Sequence, residues 1–219
     1  MKRILAPCIV AAALMMAPAA ASADTITFTL DTHFGANPAG GDITATLTDV
    51  VGGVQLTMDA SALPGQEYVK EWYFNLDPTL DPTALTYTPL SGIAASTILD
   101  GAQCCQADGD GKFDIQFNFP TDAGSRLGVD GNTSVYLLSL PGLTANRFDF
   151  SSVEGGGQGT FFSAAHIGAI GAGAQGSDWV GDGDGPDEDE QVPVPEPGTM
   201  LLFGAGVAAF VARRRQRTA

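Results

Sequence analysis

A two-residue hydrophobic period, repeated in segment after segment, is what most limits the folds open to this chain. In TITFTLD, Thr25 to Asp31, the apolar Ile26, Phe28 and Leu30 alternate with Thr25, Thr27 and Thr29. Successive side chains of a strand point to opposite faces, so this pattern sets three apolar residues on a core and three threonines in water. DITATLTD, Asp42 to Asp49, repeats it with Ile43, Ala45 and Leu47 inward. Val54, Leu56 and Met58 follow a Gly52-Gly53 turn, and two such runs joined by a short glycine-rich connection predict a hairpin. YVKEWYFNLD, Tyr68 to Asp77, places Trp72, Phe74 and Leu76 on one face. FDIQFNF, Phe113 to Phe119, places Phe113, Ile115, Phe117 and Phe119 on one side, and Pro120 ends it because proline cannot donate to a ladder.

Weaker strand patterns cover Leu85 to Leu90, Ala94 to Leu99, Ser134 to Leu140, Arg147 to Ser151 (Phe148 and Phe150 inward) and Phe161 to Ile170. Long runs of helix formers are missing between them, and turns of Gly, Pro and Asp separate them. Half-buried alternation in most strands means two sheets packed face to face, each with one wet side. The expectation is an all-β domain over residues 24–170, an antiparallel β-sandwich of jelly-roll-like topology, with a closed barrel as the alternative. No internal repeat suggests a solenoid or propeller. Residues 171–191 are rich first in glycine and then in acid. GDGDGPDEDE offers no apolar surface to bury, so the segment reads as a solvated linker.

Charge excludes one class of function. The net charge is -15, and it is uneven. Lys2 and Arg3 sit at one end and Arg213, Arg214, Arg215 and Arg217 at the other, while only Lys70, Lys112, Arg126 and Arg147 lie between, among all 25 acidic residues. Such a surface repels nucleic acid and anionic headgroups and attracts cations, so no nucleic-acid partner is expected.

Several local patterns raise chemistry. Asp108-Gly109-Asp110-Gly111-Lys112-Phe113-Asp114 resembles part of a calcium loop, with Asp108 third, Asp110 fifth, Gly111 at the turn and Asp114 ninth. Gln106 and Phe117 then occupy the first and twelfth positions, where acidic ligands belong, so the alternative is a glycine-rich hairpin turn. The six acids from Asp182 to Glu190 form a tract that does not preorganise a hard-ion site. Cys104 and Cys105 are neighbours. In an oxidising compartment they either close a strained eight-membered ring or remain free or pair between molecules; CxxC redox spacing is absent. His33 and His166 share no ligand spacing, and His166 reads as outward-facing on a strand or at a sheet edge. Gly171, Gly173 and Gly176 fit a dinucleotide fingerprint by letter but lack a following helix, and no G-x-S-x-G elbow is present. Asn132-Thr133-Ser134 is a bare sequon.

The two ends carry addresses. Met1 to Ala23 has a basic start, an apolar stretch from Ile4 to Ala20 and the small-x-small site Ala21-Ser22-Ala23, which makes it a signal peptide helix cut by signal peptidase before Asp24. At the other end, residues 192–219 read VPVPEPGTMLLFGAGVAAFVARRRQRTA. The apolar run from Thr199 to Ala212, as a helix, spans roughly 21 Å, short of the roughly 30 Å hydrocarbon core. It can halt export, with the arginines as a cytoplasmic stop, yet makes a poor permanent anchor.

Val194-Pro195-Glu196-Pro197, the short transmembrane stretch and the basic end of Arg213, Arg214, Arg215 and Arg217, paired with the N-terminal signal, together resemble the PEP-CTERM sorting signal of Gram-negative bacteria. The resemblance implies recognition by an exosortase, an integral-membrane cysteine protease/transpeptidase, transient membrane insertion, and removal of the tail near the motif. It further implies an envelope, surface or extracellular destination, often tied to exopolysaccharide and biofilm. The body is similar to uncharacterised cargo domains of this class, which brings no activity with it. Three readings of the β-domain follow: a structural or binding protein whose exposed aromatics, Tyr73 among them, could stack on sugars; a secreted glycan-active enzyme; and a calcium-stabilised carbohydrate-binding module. The first is preferred, with no enzyme activity and no cofactor expected.

Overall fold

A computed structural model describes residues 23–35, 38–108, 111–155, 159–182 and 187–188. The signal segment, residue 110 and the sorting tail lie outside these. Among the described residues, thirteen strands form two antiparallel sheets. They are β1 (Thr25–Leu30), β2 (Thr32–His33), β3 (Ile43–Val50), β4 (Gly53–Asp59), β5 (Tyr68–Phe74), β6 (Thr86–Gly92), β7 (Thr97–Ala107), β8 (Gly111–Asn118), β9 (Thr133–Ser139), β10 (Val153–Glu154), β11 (Ser163–Ile170), β12 (Gly176–Asp182) and β13 (Asp187–Glu188). The first sheet has the order β13-β1-β3-β4-β9-β6. The second runs β8-β5-β11-β12-β2, with β7 on the other edge of β8 and β10 beside the start of β8.

Between the sheets lies the core that the two-residue period demands. Ile26, Phe28, Leu30, Ile43, Ala45, Leu47, Val54, Leu56 and Met58 are buried from the first sheet, and Trp72, Phe74, Ile115, Phe117, Ile167 and Val180 from the second. Phe28 meets Phe74 across the gap at 6.4 Å between ring centres, and Phe117 meets Tyr136 at 5.2 Å. Each buried large apolar side chain contributes about 1.5–3 kcal/mol. The opposite face of β1 and β3 carries matched threonines, Thr25 to Thr48 and Thr27 to Thr46, each hydrogen-bonded at 3.1 Å. The β3–β4 hairpin is as expected. Gly53, at φ +150, begins β4 so close to the neighbouring β9 that a Cβ would stand 2.0 Å from the Leu138 carbonyl oxygen.

Four readings need correction. First, the domain does not end at Ile170. Residues 176–182 are not a solvated linker but β12, paired with β11 along its length, and β13 pairs with β1. The segment carries few apolar residues because its inward positions include acids whose oxygens are hydrogen-bonded: Asp178 accepts from His33 and from the Gly35 N–H, and Asp182 from the Thr29 N–H. Second, Arg147 to Ser151 is not a strand. Residues Ala145–Phe148 form a 3₁₀ turn that buries Phe148 and leaves Phe150 half-buried. Third, Phe113 does not share the face of Ile115 and Phe117. The β7–β8 register shifts between Asp100 and Cys105, opposite Asp114, and this bulge re-aims Phe113 into a second cluster. Fourth, Tyr73 is not an exposed platform. It is buried beneath that same cluster.

Candidate functional site

The second cluster covers part of the outer face of the second sheet, the face expected to be wet. Tyr73, Phe113, Phe161 and Ala164 are buried there, with Cys105 and Ala107 from β7 and the half-buried Phe34 and Trp179. Gly181 makes the layer possible: a Cβ there would meet the Phe161 ring at 2.6 Å and Phe34 at 3.0 Å, and those two rings lie 4.5 Å apart.

Beside this layer the sheet register brings Glu71, Tyr73, His166 and Trp179 together, since His166 is the partner of Glu71 on one side and of Trp179 on the other. The His166 and Trp179 rings stack, with centroids 4.4 Å apart and planes 6° from parallel. Glu71 Oε2 accepts the Tyr73 hydroxyl at 3.0 Å and lies 3.4 Å from His166 Nδ1. The hydrogen bond from His166 holds the Glu71 carboxyl below its ordinary range, against the opposing pull of burial, and the Tyr73 bond acts with it. Burial first, and the adjacent Glu71 charge second, push the Tyr73 phenol up, so it stays protonated and donating. His166 is therefore outward-facing, but on a central strand rather than at an edge.

A cleft of about 210 Å³ lies elsewhere, between the end of β5, the bulge of β7 and the segment after the 3₁₀ turn; Asn75, Asp77, Gln103, Lys112, Asp114 and Phe150 line it. Its two carboxylates are engaged. Asp77 accepts the Thr79 N–H at 2.8 Å, the Thr79 hydroxyl at 2.7 Å and the Arg147 guanidinium. These bonds, those of Thr79 foremost, hold Asp77 below its usual range. Asp114 accepts the N–H groups of Leu76 at 3.0 Å and Gln103 at 2.8 Å, which fixes the bulge to β5. A glycosidase acid needs the opposite of what Asp77 shows, a carboxyl raised so that it carries a proton at working pH.

Of the calcium residues, Asp114 makes these two bonds, Asp108 is exposed with φ +47 at the end of β7, and Asp110 is outside the described residues. Among the described residues no group of three His, Cys, Asp or Glu side chains stands ready for a metal. Cys104 and Cys105 are joined by a disulfide within the bulge. Ser134 of the sequon is fully buried. Asp24, the residue after the Ala21-Ser22-Ala23 site, bonds to Asp49 and Asn146. Sequence spacing offered a cue for Glu71 and Tyr73, two apart on one strand face. It offered none for Asp178 with His33, which lie 145 residues apart.

Val194, Pro195, Glu196, Pro197, Arg213, Arg214, Arg215 and Arg217 lie outside the described residues, as does the apolar run; no helix among the described residues is long and apolar enough to cross a membrane. Comparison with known families nonetheless speaks to them. Residues 193–215 match the PEP-CTERM protein-sorting motif. No curated protein and no solved structure matches the chain. The match spans the Pro-Glu-Pro element, the apolar run and three of the four terminal arginines, and such a motif implies export and sorting by an exosortase. The chain thus carries a PEP-CTERM protein-sorting motif over residues 193–215.

Proposed function

We propose that the protein is an exported structural or binding component of the cell surface or extracellular matrix, made in three steps. Signal peptidase removes residues 1–23 after Ala23. The apolar run of residues 199–212 then holds the chain transiently in the inner membrane, as a short helix stopped by Arg213, Arg214, Arg215 and Arg217. Exosortase cuts near Val194-Pro195-Glu196-Pro197 and releases a jelly-roll-like sandwich into an exopolysaccharide or biofilm setting. The motif at residues 193–215 carries the reading.

Features of the domain favour a structural role over catalysis. Asp77 in the cleft is held below its usual range by the bonds of Thr79 and Arg147, so it is not set up as a general acid. Tyr73 offers no platform for stacking on sugar, because its ring is buried. Among the described residues the large exposed apolar side chains are aliphatic, such as Val51, Leu90 and Leu99. Calcium stabilisation draws no support from Asp114, whose two oxygens each hold an N–H. Mass spectrometry of the mature protein from its native host tests the proposal. The expected termini are Asp24 and a residue near Pro197; an intact arginine-rich tail would refute it.

A further inference from the structure

The cleft beside the β7 bulge forms where two neighbouring strands part. β5 and β8 stay paired only as far as Phe74 and Ile115. Beyond that pair β10 takes the place of β5 beside β8, with Val153 across from Lys112. The chain leaving β5 goes instead to the 3₁₀ turn, where the Arg147 carbonyl accepts the Asp77 N–H at 2.7 Å. Asp114 stands in the opening and ties its sides together, through the N–H groups of Leu76 at 3.0 Å and Gln103 at 2.8 Å. Gln103 has φ +52, and the two residues after it are joined by the disulfide. The rim is therefore set before any ligand arrives, which lowers the ordering cost of binding.

The lining mixes three kinds of surface. Leu80, Pro82 and the half-buried Phe150 are apolar. Asn75 gives its amide hydrogens to the Phe161 and Phe162 carbonyls, so its oxygen is left to accept, and each Asp114 oxygen keeps a second lone pair. Gln103 and Lys112 are exposed and supply donors, and Lys112 makes no ion pair among the described residues. Donors, acceptors and an aromatic ring in one cleft match hydroxyl groups set around a carbon ring, because a hydroxyl both donates and accepts. Ions match it poorly. A cation would meet Lys112, and an anion would meet Asp77 and Asp114 in a chain of net charge -15. The volume, about 210 Å³, is room for roughly seven waters at ~30 Å³ each, which is one six-membered ring with its hydroxyls. We propose that this cleft binds a single neutral sugar ring, the end or a branch of a glycan, with Phe150 against the ring and Gln103 and Lys112 donating to its hydroxyls. The proposal goes beyond the sorting reading and does not depend on it.

The test titrates the isotope-labelled protein, purified from its native host, with the methyl glycosides of glucose, galactose and mannose, and with sodium glucuronate as the charged comparison. Amide resonances are followed by NMR. The expected result is a saturable shift of the Leu76, Gln103, Lys112 and Ser151 amides with at least one neutral glycoside. Gln103→Ala and Lys112→Met each remove one donor from an exposed side chain, the second keeping most of the stem, and should weaken that binding about fivefold. Val51→Ser, at a fully exposed turn outside the cleft, should leave it unchanged. No saturable shift with any neutral glycoside at about 50 mM, far above a millimolar Kd, overturns the proposal. So do shifts confined to other parts of the sandwich, glucuronate binding where the neutral glycosides do not, or an affinity that both cleft substitutions leave intact. The same titration applies whether the arginine-rich tail is removed or retained, so failure here and failure of the sorting reading are told apart.

Discussion

Glu71 is the residue whose ionisation has the clearest consequence for stability. Its folded-state carboxyl is lowered, foremost by the His166 hydrogen bond. A lowered carboxyl stabilises the fold above its unfolded value and loses that contribution as pH falls through the folded value. Glu71→Gln should therefore lower the melting temperature at pH 6–7, where the carboxylate is formed, and the gap to the parent should close as pH drops below about 4. Melting curves across pH check this; a gap that persists unchanged at pH 3 would count against it. Trp72 makes a second residue-level case. Its indole N–H donates to Ser163 Oγ at 3.0 Å, and that hydroxyl donates to the Tyr73 carbonyl at 2.8 Å, all buried. Ser163→Ala leaves the indole donor without its partner and should cost about 1–3 kcal/mol in denaturant unfolding. A change under about 0.5 kcal/mol would mean that the chain of bonds is dispensable.

At the level of strands, the aromatic layers divide the energetics. Phe117 is fully buried against Phe74, Tyr87 and Tyr136, so Phe117→Ala should cost about 3–5 kcal/mol. Tyr73→Ala, on the outer face, should approach the same figure, because Phe113 and Trp179 pack on it at 5.5 and 5.6 Å. Chemical denaturation of both variants decides it; a cost near zero for Tyr73→Ala would mean that the outer layer adds nothing. The same contrast explains what was legible in the sequence. β1, β3 and β4 alternate with water on one side, and their faces could be read residue by residue. Tyr73 and Phe113 could not, since their cover comes from Phe34 and Phe161, remote segments that no local period announces. β12 was missed for a related reason. Asp178 and Asp182 look like linker residues by composition, and only their hydrogen bonds to His33, Gly35 and Thr29 make them interior ones. Glu71 and His166 were visible as strand residues, but their meeting depends on the β5–β11 register, which includes a bulge.

For the molecule as a whole, charge is the governing quantity. Between the basic ends stand 25 acidic residues and four basic ones, and two of the four are engaged, Arg147 with Asp77 and Arg126 over the Tyr68 ring at 4.4 Å. Self-repulsion on this scale weakens the compact state and is screened by salt, with the Debye length near 10 Å at 0.1 M and 3 Å at 1 M. The melting temperature of the processed protein at pH 7 should therefore climb as sodium chloride is raised from 10 mM to 0.5 M. A flat or falling trend in calorimetry would show that repulsion does not limit stability.

The disulfide in the β7 bulge has a consequence of another kind. It joins adjacent residues, so it closes no long loop and hardly restricts the unfolded chain, unlike bridges that staple distant segments. Its loss should leave the sandwich assembled. What it does register is geography. Thiols stay reduced in the cytosol and oxidise beyond the inner membrane. A chain that has not crossed carries two more hydrogens at Cys104 and Cys105 than one that has. That small mass difference serves as a passport stamp, telling unexported precursor from exported protein without reference to either end.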